Sequence, residues 1–261
     1  MKHENFKTCA QSGFCTRNRA YADEATRHGS GWASPYALEA SSLSLKDGSL
    51  SGTVLKTLQS GESVRLPLIV DFLESGAARV TMNEEKRLKG DIELRHDSKA
   101  RKERYDASDL VLVGGLEKSK TAAIVKTEQS GVTKVSFGPG GKHEAIIRHA
   151  PLSVEFLRDG EVQVVLNERG LMNMEHWRPK VEVEKKEGEE EAATTDAEDQ
   201  ATWWEESFGG NTDSKPRGPE SIGLDITFPG YEHVFGIPEH TGPLSLKQTR
   251  YYTPSRMTCL C

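Results

Sequence analysis

Between residues 34 and 180, short runs rich in Val, Ile, Leu and Phe follow one another closely, each bounded by Gly, Asp, Asn or Ser. The runs are "SVRLPLIVDFL", "ARVTM", "DLVLV", "KTAAIVK", "VTKVSF", "EAIIRH", "LSVEFL", "EVQVVLN" and "LMNMEHW". Helical periodicity is scarce between them, which excludes a parallel sheet built on crossover helices. The clearest pair is "LSVEFLRDGEVQVVLN", where Asp159-Gly160 supplies the positive φ that a tight turn between twisted strands demands. Apolar residues alternate along both arms, so one face of the sheet is buried. The expected fold is all-β, an antiparallel β-sandwich or a barrel.

The pattern breaks once. Residues 182–202 lose all periodicity and become Glu, Ala, Thr and Asp, a composition unable to offset its ordering entropy by burial, so a disordered acidic insert is expected there. Structure resumes at "WWEESFGG", because Trp203 and Trp204 are costly to leave in water, and continues into the alternating strand "SIGLDITF". The expected organisation is an N-terminal arm over 1–33, a sandwich in two parts over 34–181 and 203–249, and a tail over 250–261.

Charge narrows the partners. The net charge of −6 is concentrated in residues 182–199, where nine acidic side chains meet two lysines; removing that −7 leaves +1 for the rest. A nearly neutral surface offers no broad attraction to nucleic acid or to an anionic membrane surface. The cluster "KARKER" lacks interleaved aromatic residues and reads as a solvated turn. No window approaches the length of apolar chain needed for a membrane helix, and "MKHENFKTCAQSGFC" contains no secretory apolar core. The N-terminus therefore fits a cytosolic protein, or one whose signal was removed.

Among the four cysteines, Cys9 and Cys15 are separated by five residues and Cys259 and Cys261 by one. A Cys9–Cys15 disulfide, which would stabilise by less than the ~3 kcal/mol of a fifteen-residue loop, is favoured over a free or metal-bound pair because neither spacing suits zinc. Such a bond implies an oxidising compartment. The last two cysteines resemble a doubly prenylated end, but the phosphate loop of the GTPases that carry one is absent.

Candidate chemistry is sparse. His143 and His149 share a strand face but lie about 20 Å apart along it, too far to share a metal. The Glu232-His233 and Glu239-His240 pairs are separated by Gly236 and Pro238, so no helical H-E-x-x-H arrangement arises. "GPGGK" misses both ends of a phosphate loop and reads as a turn between strands; "VGGLE" lacks the third glycine of a dinucleotide fingerprint. No G-x-S-x-G elbow is present. No metal and no cofactor is expected.

The block "WEESFGGNTDSKPRGPESIGLDITFPGYEHVFGIPEHTGPLSL", Trp204 to Leu246, closely resembles the N-terminal region of glucosidase II α subunits in glycoside hydrolase family 31. Upstream, "ENFKTCAQSGFCTRNR", "SPYAL", "RKERYDASDLVLV" and "LSVEFLRDGEVQVVLNERGLMNMEH" resemble that region's other landmarks in the same order. The resemblance covers residues 3–249 and implies a galactose mutarotase-like β-sandwich that packs on a catalytic (β/α)8 barrel. It also implies the endoplasmic reticulum lumen, a regulatory β subunit as partner, and glucosylated N-glycans as substrate of the full enzyme, from which α-1,3-linked glucose is trimmed. Retaining glycosidases use two carboxyl groups about 5–5.5 Å apart. In this family both belong to the barrel, so no catalytic residue is assigned here. "VTMNEE" only echoes the nucleophile motif, with Thr81 where the attacking aspartate belongs, and Met82-Asn83-Glu84 reads as strand end and turn. The resemblance places the "GIPEH" turn at the junction with the barrel and implies that Glu239 and His240 support it. The tail "RYYTPSRMTCLC" resembles no part of the family, which suggests a truncated gene model or isoform. Two functions follow: a non-catalytic sandwich of an α-glucosidase, or a stand-alone module that binds carbohydrate or protein.

Overall fold

The computed structural model describes residues 7–8, 10–84, 112–125, 130–176, 203–215, 218–219, 221–236 and 243–246. The acidic segment 182–202 and the tail 250–261 lie outside the described residues, as does most of "DLVLV". Two compact units emerge, one comprising residues 33–170 and 225–230, the other 1–32, 171–224 and 231–261. The stretch expected as the second part of the sandwich, 203–249, is thus divided between them.

The first unit is the sandwich. One sheet has the order β1 (Tyr36–Lys46), β2 (Ser49–Thr57), β3 (Ser63–Phe72) and β4 (Ala78–Met82), every neighbour antiparallel. The other runs β14 (Ile226–Thr227), β9 (Glu161–Leu166), β8 (Ser153–Arg158), β7 (His143–Arg148), β6 (Val132–Phe137) and β5 (Ala123–Val125). The antiparallel all-β fold expected from the alternation is what forms. Leu50, Val54, Leu66, Val70 and Phe72 from the first sheet are buried, as are Val135, Phe137, Ala145 and Ile147 from the second. The rings of Phe72 and Phe137 meet at 4.7 Å across the interior. Backbone bonds also join the sheets, Leu38 N–H to the His149 carbonyl at 2.8 Å and Leu152 N–H to the Tyr36 carbonyl at 3.0 Å.

Turn chemistry sets the strand pairing. Asp159 (φ 51°) and Gly160 (φ 83°) both adopt the left-handed conformation, as a two-residue turn matched to strand twist requires. Asp47 (φ 49°) and Gly48 (φ 72°) repeat the device between β1 and β2, two strands absent from the sequence-derived runs. "GPGGK" is the turn expected of it, a short 3-10 segment over Pro139–Gly141 linking β6 to β7.

The second unit contains the chain's one helix among the described residues, α1 (Gly13–His28), which the strand reading did not anticipate. Ser12 caps it, accepting a hydrogen bond from the Cys15 N–H, and Arg27 and His28 sit where the helix dipole favours cations. Ala22 and Ala25 pack with Leu171 and Trp32, and Tyr21 meets the Trp32 ring edge-on at 5.1 Å. The unit adds two small antiparallel pairs, β10 (Asn173–Met174) with β13 (Ile222–Gly223) and β11 (Glu205–Phe208) with β12 (Asn211–Ser214). "SIGLDITF", read as one strand, therefore forms two short ones, β13 and β14, with different partners.

Candidate functional site

Of the residues singled out from the sequence, Cys15 is buried in the first turn of α1. Cys9, Glu239 and His240 lie outside the described residues. The two flanks of the "GIPEH" turn are described, however, and they pair. Phe235 and Ser245 form an isolated antiparallel bridge, and the Leu246 N–H donates to the Val234 carbonyl at 2.8 Å. His233 Nδ1 and Ser245 Oγ lie 3.2 Å apart. Around this base, large apolar side chains face water: Tyr231 is 53% exposed, Phe235 67% and Leu244 81%.

Two carboxylates in the same unit are buried and fully engaged. Glu206 on β11 accepts from Lys7 Nζ at 2.5 Å, Lys215 Nζ at 2.8 Å and the Gly13 N–H at 3.1 Å; Lys7 also pairs with Asp213. Burial alone would raise the Glu206 carboxyl, but the hydrogen bonds and charges of Lys215 and Lys7 outweigh it and hold the group below the ordinary glutamate range. For Lys7, burial acts downward and the bonds to Asp213 and Glu206 overcome it, leaving the amine raised. Glu175 accepts from Arg17 Nε at 2.9 Å and Nη2 at 2.6 Å, and from the Ser221 N–H at 3.3 Å. Glu206, held ionised by two cations, is poorly placed to donate a proton, and both carboxylates serve to tie the helix to the strands of this unit.

In the sandwich unit, His143 opens β7 and His149 follows its last residue, so the two sit at opposite ends of one strand as the spacing implied. His149 Nε2 lies 2.9 Å from Thr133 Oγ1, and burial lowers its pKa from the ordinary histidine value. Among the described residues no three His, Cys, Asp or Glu side chains gather closely enough to hold a metal.

Between the sheets a cleft of about 470 Å3 opens beside β4. Ala78 and Val80 form one wall; Phe156, Val164 and Leu166 form the other. Phe137, His143 and Arg158 close one end. Register explains the geometry. Val80 stands opposite Val70, and directly opposed residues share a face, so both point inward. Val70 is fully buried while Val80, on the edge strand, is 36% exposed. Across the gap, Phe137, His143 and Arg158 stand in one row across β6, β7 and β8. The His143 ring is seated where only glycine fits: a Cβ on Gly76 would come within 2.5 Å of it, and one on Gly138 within 2.9 Å. Sequence reasoning weighed His143 only as a metal ligand and passed over the cleft. Alternation along β7 to β9 identifies the inward residues, but nothing local reveals that β4 is the last strand of the opposite sheet among the described residues.

The "glycosyl hydrolase 31 N-terminal galactose mutarotase-like domain" model matches residues 67–257, and so takes in the first part of the tail over 250–261, which was expected to resemble no part of the family. The chain is 38% identical over 254 residues to "Glucosidase 2 subunit alpha" of Schizosaccharomyces pombe, covering 95% of this chain and 26% of that one. It is 32% identical over 275 residues to "Neutral alpha-glucosidase AB" of Mus musculus, covering 98% and 26%. Among solved structures, a glucosidase II α subunit described as Glc1Man2-bound superposes with a TM-score of 0.78 at 56% identity, over 94% of this chain and 25% of that one. A heterodimeric complex of the endoplasmic reticulum glucosidase II catalytic subunit with the binding domain of its regulatory subunit gives 0.77 at the same identity. The chain thus spans about a quarter of the length of the relatives it matches. The two-sheet unit, the order of its landmarks and the matched span agree, and this chain belongs to the family of glycosyl hydrolase 31 N-terminal galactose mutarotase-like domains.

Proposed function

We propose that these 261 residues form the non-catalytic sandwich region of a glucosidase II α-like α-glucosidase and release no glucose by themselves. The supporting observation is that 94% of the chain superposes on only a quarter of a glucosidase II α subunit. The work of such a region is to bury the apolar strip of Tyr231, Phe235 and Leu244 against the remainder of the enzyme, the barrel that carries the paired carboxyl groups. Glu239 and His240, in the turn whose base is the Phe235–Ser245 bridge, serve there as supports and not as catalysts. The partners are that barrel, a regulatory β subunit, and, for the whole enzyme, a glucosylated N-glycan whose α-1,3-linked glucose is trimmed. The setting is the endoplasmic reticulum lumen, whose oxidising chemistry suits a Cys9–Cys15 disulfide.

The decisive assay incubates the purified chain with a chromogenic α-glucoside. No chromophore release above buffer is expected; release that follows the chain through size exclusion and scales with its concentration overturns the proposal. Intact mass under non-reducing and reducing conditions tests the disulfide, which adds two hydrogens on reduction.

A further inference from the structure

We infer that residues 117–121 form a latch, which holds the two sheets of the sandwich together at one end, lets go without global unfolding, and works against a hinge of backbone bonds at the other end. The inference lies within the sandwich unit and does not depend on the glucosidase reading. The hinge consists of Leu38 N–H on the His149 carbonyl at 2.8 Å and Leu152 N–H on the Tyr36 carbonyl at 3.0 Å. It joins β1 to the chain just past the last residue of β7. The latch acts at the first residue of that strand, His143, beside the turn that Gly138 opens.

Its grip on the four-stranded sheet is firm. Lys118 forms an antiparallel bridge with Leu73, the Glu74 N–H donates to the Glu117 carbonyl at 2.9 Å, and the Ser119 N–H donates to the Phe72 carbonyl at 2.7 Å. Lys118 Nζ donates to Ser49 Oγ at 2.7 Å and meets Asp71 Oδ1 at 2.8 Å, while the Ser49 hydroxyl donates to that same oxygen at 2.5 Å. Asp71 is buried, so this cation answers a charge that would otherwise be costly to keep there. Gly48 lets the segment lie close: a Cβ there would stand 2.7 Å from the Ser119 carbonyl oxygen.

Its grip on the second sheet is lighter. The Gly138 N–H donates to Ser119 Oγ at 3.2 Å and Thr121 Oγ1 donates to the Gly138 carbonyl at 3.4 Å, both long for hydrogen bonds. Ser119 therefore bonds one sheet through its backbone and the other through its side chain, at 2% exposure. The segment reads "EKSKT" and contains no apolar side chain, so polar bonds alone hold it. The hinge differs, since Tyr36 and Ile147 beside it are buried core residues. Regions poor in apolar contacts open at the lowest free energy, which makes the latch the end that yields first.

The test follows amide hydrogen exchange of the full chain at increasing low denaturant. Glu74, Ser119 and Gly138 lie in three separate segments, yet their amides lose their acceptors together if the latch lets go. They should share one opening free energy, nearly independent of denaturant, and exchange about tenfold or more faster than Leu38 and Leu152. Lys118→Met should speed all three by about tenfold or more. Ile147→Val, a small loss in the core beside the hinge, should speed Leu38 and Leu152 several-fold and leave the three latch amides unchanged, because that core stays formed while the latch is open. The denaturant series on the unaltered chain decides the matter if either variant fails to fold. Unequal opening free energies for the three amides, exchange of all three only with Leu38 and Leu152, indifference to Lys118→Met, or equal acceleration of both sets by Ile147→Val would each overturn the inference.

Discussion

At the scale of single residues, Glu206 governs the second unit. Its side chain is buried and bonds Lys7, Lys215 and the Gly13 N–H, so one carboxylate links the segment before α1, the helix start and the β11–β12 pair. Glu206→Gln keeps the size and loses the charge, and should destabilise by about 1–3 kcal/mol, read as a lower unfolding midpoint. The deficit has a definite pH dependence. Because the native carboxyl titrates below its ordinary range, its contribution is complete above that range and is lost as pH falls through the native value. Wild type and variant should therefore converge on acidification. Lys7 runs the other way: raised in the fold, its share persists through neutral pH and disappears only as pH climbs past the ordinary lysine range. His149, lowered by burial, contributes in full above the ordinary histidine value and loses that contribution as pH drops beneath it. None of these partnerships was visible in the sequence. Lys7 and Glu206 are 199 positions apart, and no local rule links residues so distant.

At the scale of elements, two hairpins carry one turn signal with unequal surroundings. A Cβ on Gly160 would meet nothing, whereas one on Gly48 would come within 2.7 Å of the Ser119 carbonyl oxygen, a backbone atom that cannot yield cheaply. Gly160→Ala should cost about 1 kcal/mol, the penalty for placing a side chain in the left-handed region. Gly48→Ala should cost clearly more, and comparing the two by chemical denaturation separates conformational strain from collision. The same pair shows what the sequence disclosed. Asp159-Gly160 lies between arms rich in Val, Leu and Phe and announces a hairpin; Asp47-Gly48 lies between "EASSLSLK" and "SLSGT", where serines dilute the alternation, so β1 and β2 escaped the strand reading. Helix α1 was missed for a related reason. Its buried residues are Phe14, Cys15, Ala22 and Ala25, too few and too small to draw a continuous apolar stripe. The strand pair β11–β12 reads "EESF" and "NTDS", with no apolar alternation at all.

At the scale of the whole molecule, exposed apolar surface becomes a measurable liability. Tyr231, Phe235 and Leu244 face solvent around one bridge, so the isolated chain should self-associate with rising concentration in sedimentation velocity. Replacing Phe235 and Leu244 together by serine should return it towards a single species without moving the unfolding midpoint by more than a few degrees. The pairing of Arg17 with Glu175 has a consequence in time. The helix is synthesised first, yet the residue that clamps it is translated 158 positions later, after every strand from β1 to β10. At roughly 5–20 residues per second, the ribosome delivers Glu175 roughly 8–32 s after Arg17. A nascent chain therefore carries its helix unanchored while the sandwich closes, and chaperone capture in that interval should centre on residues 13–28.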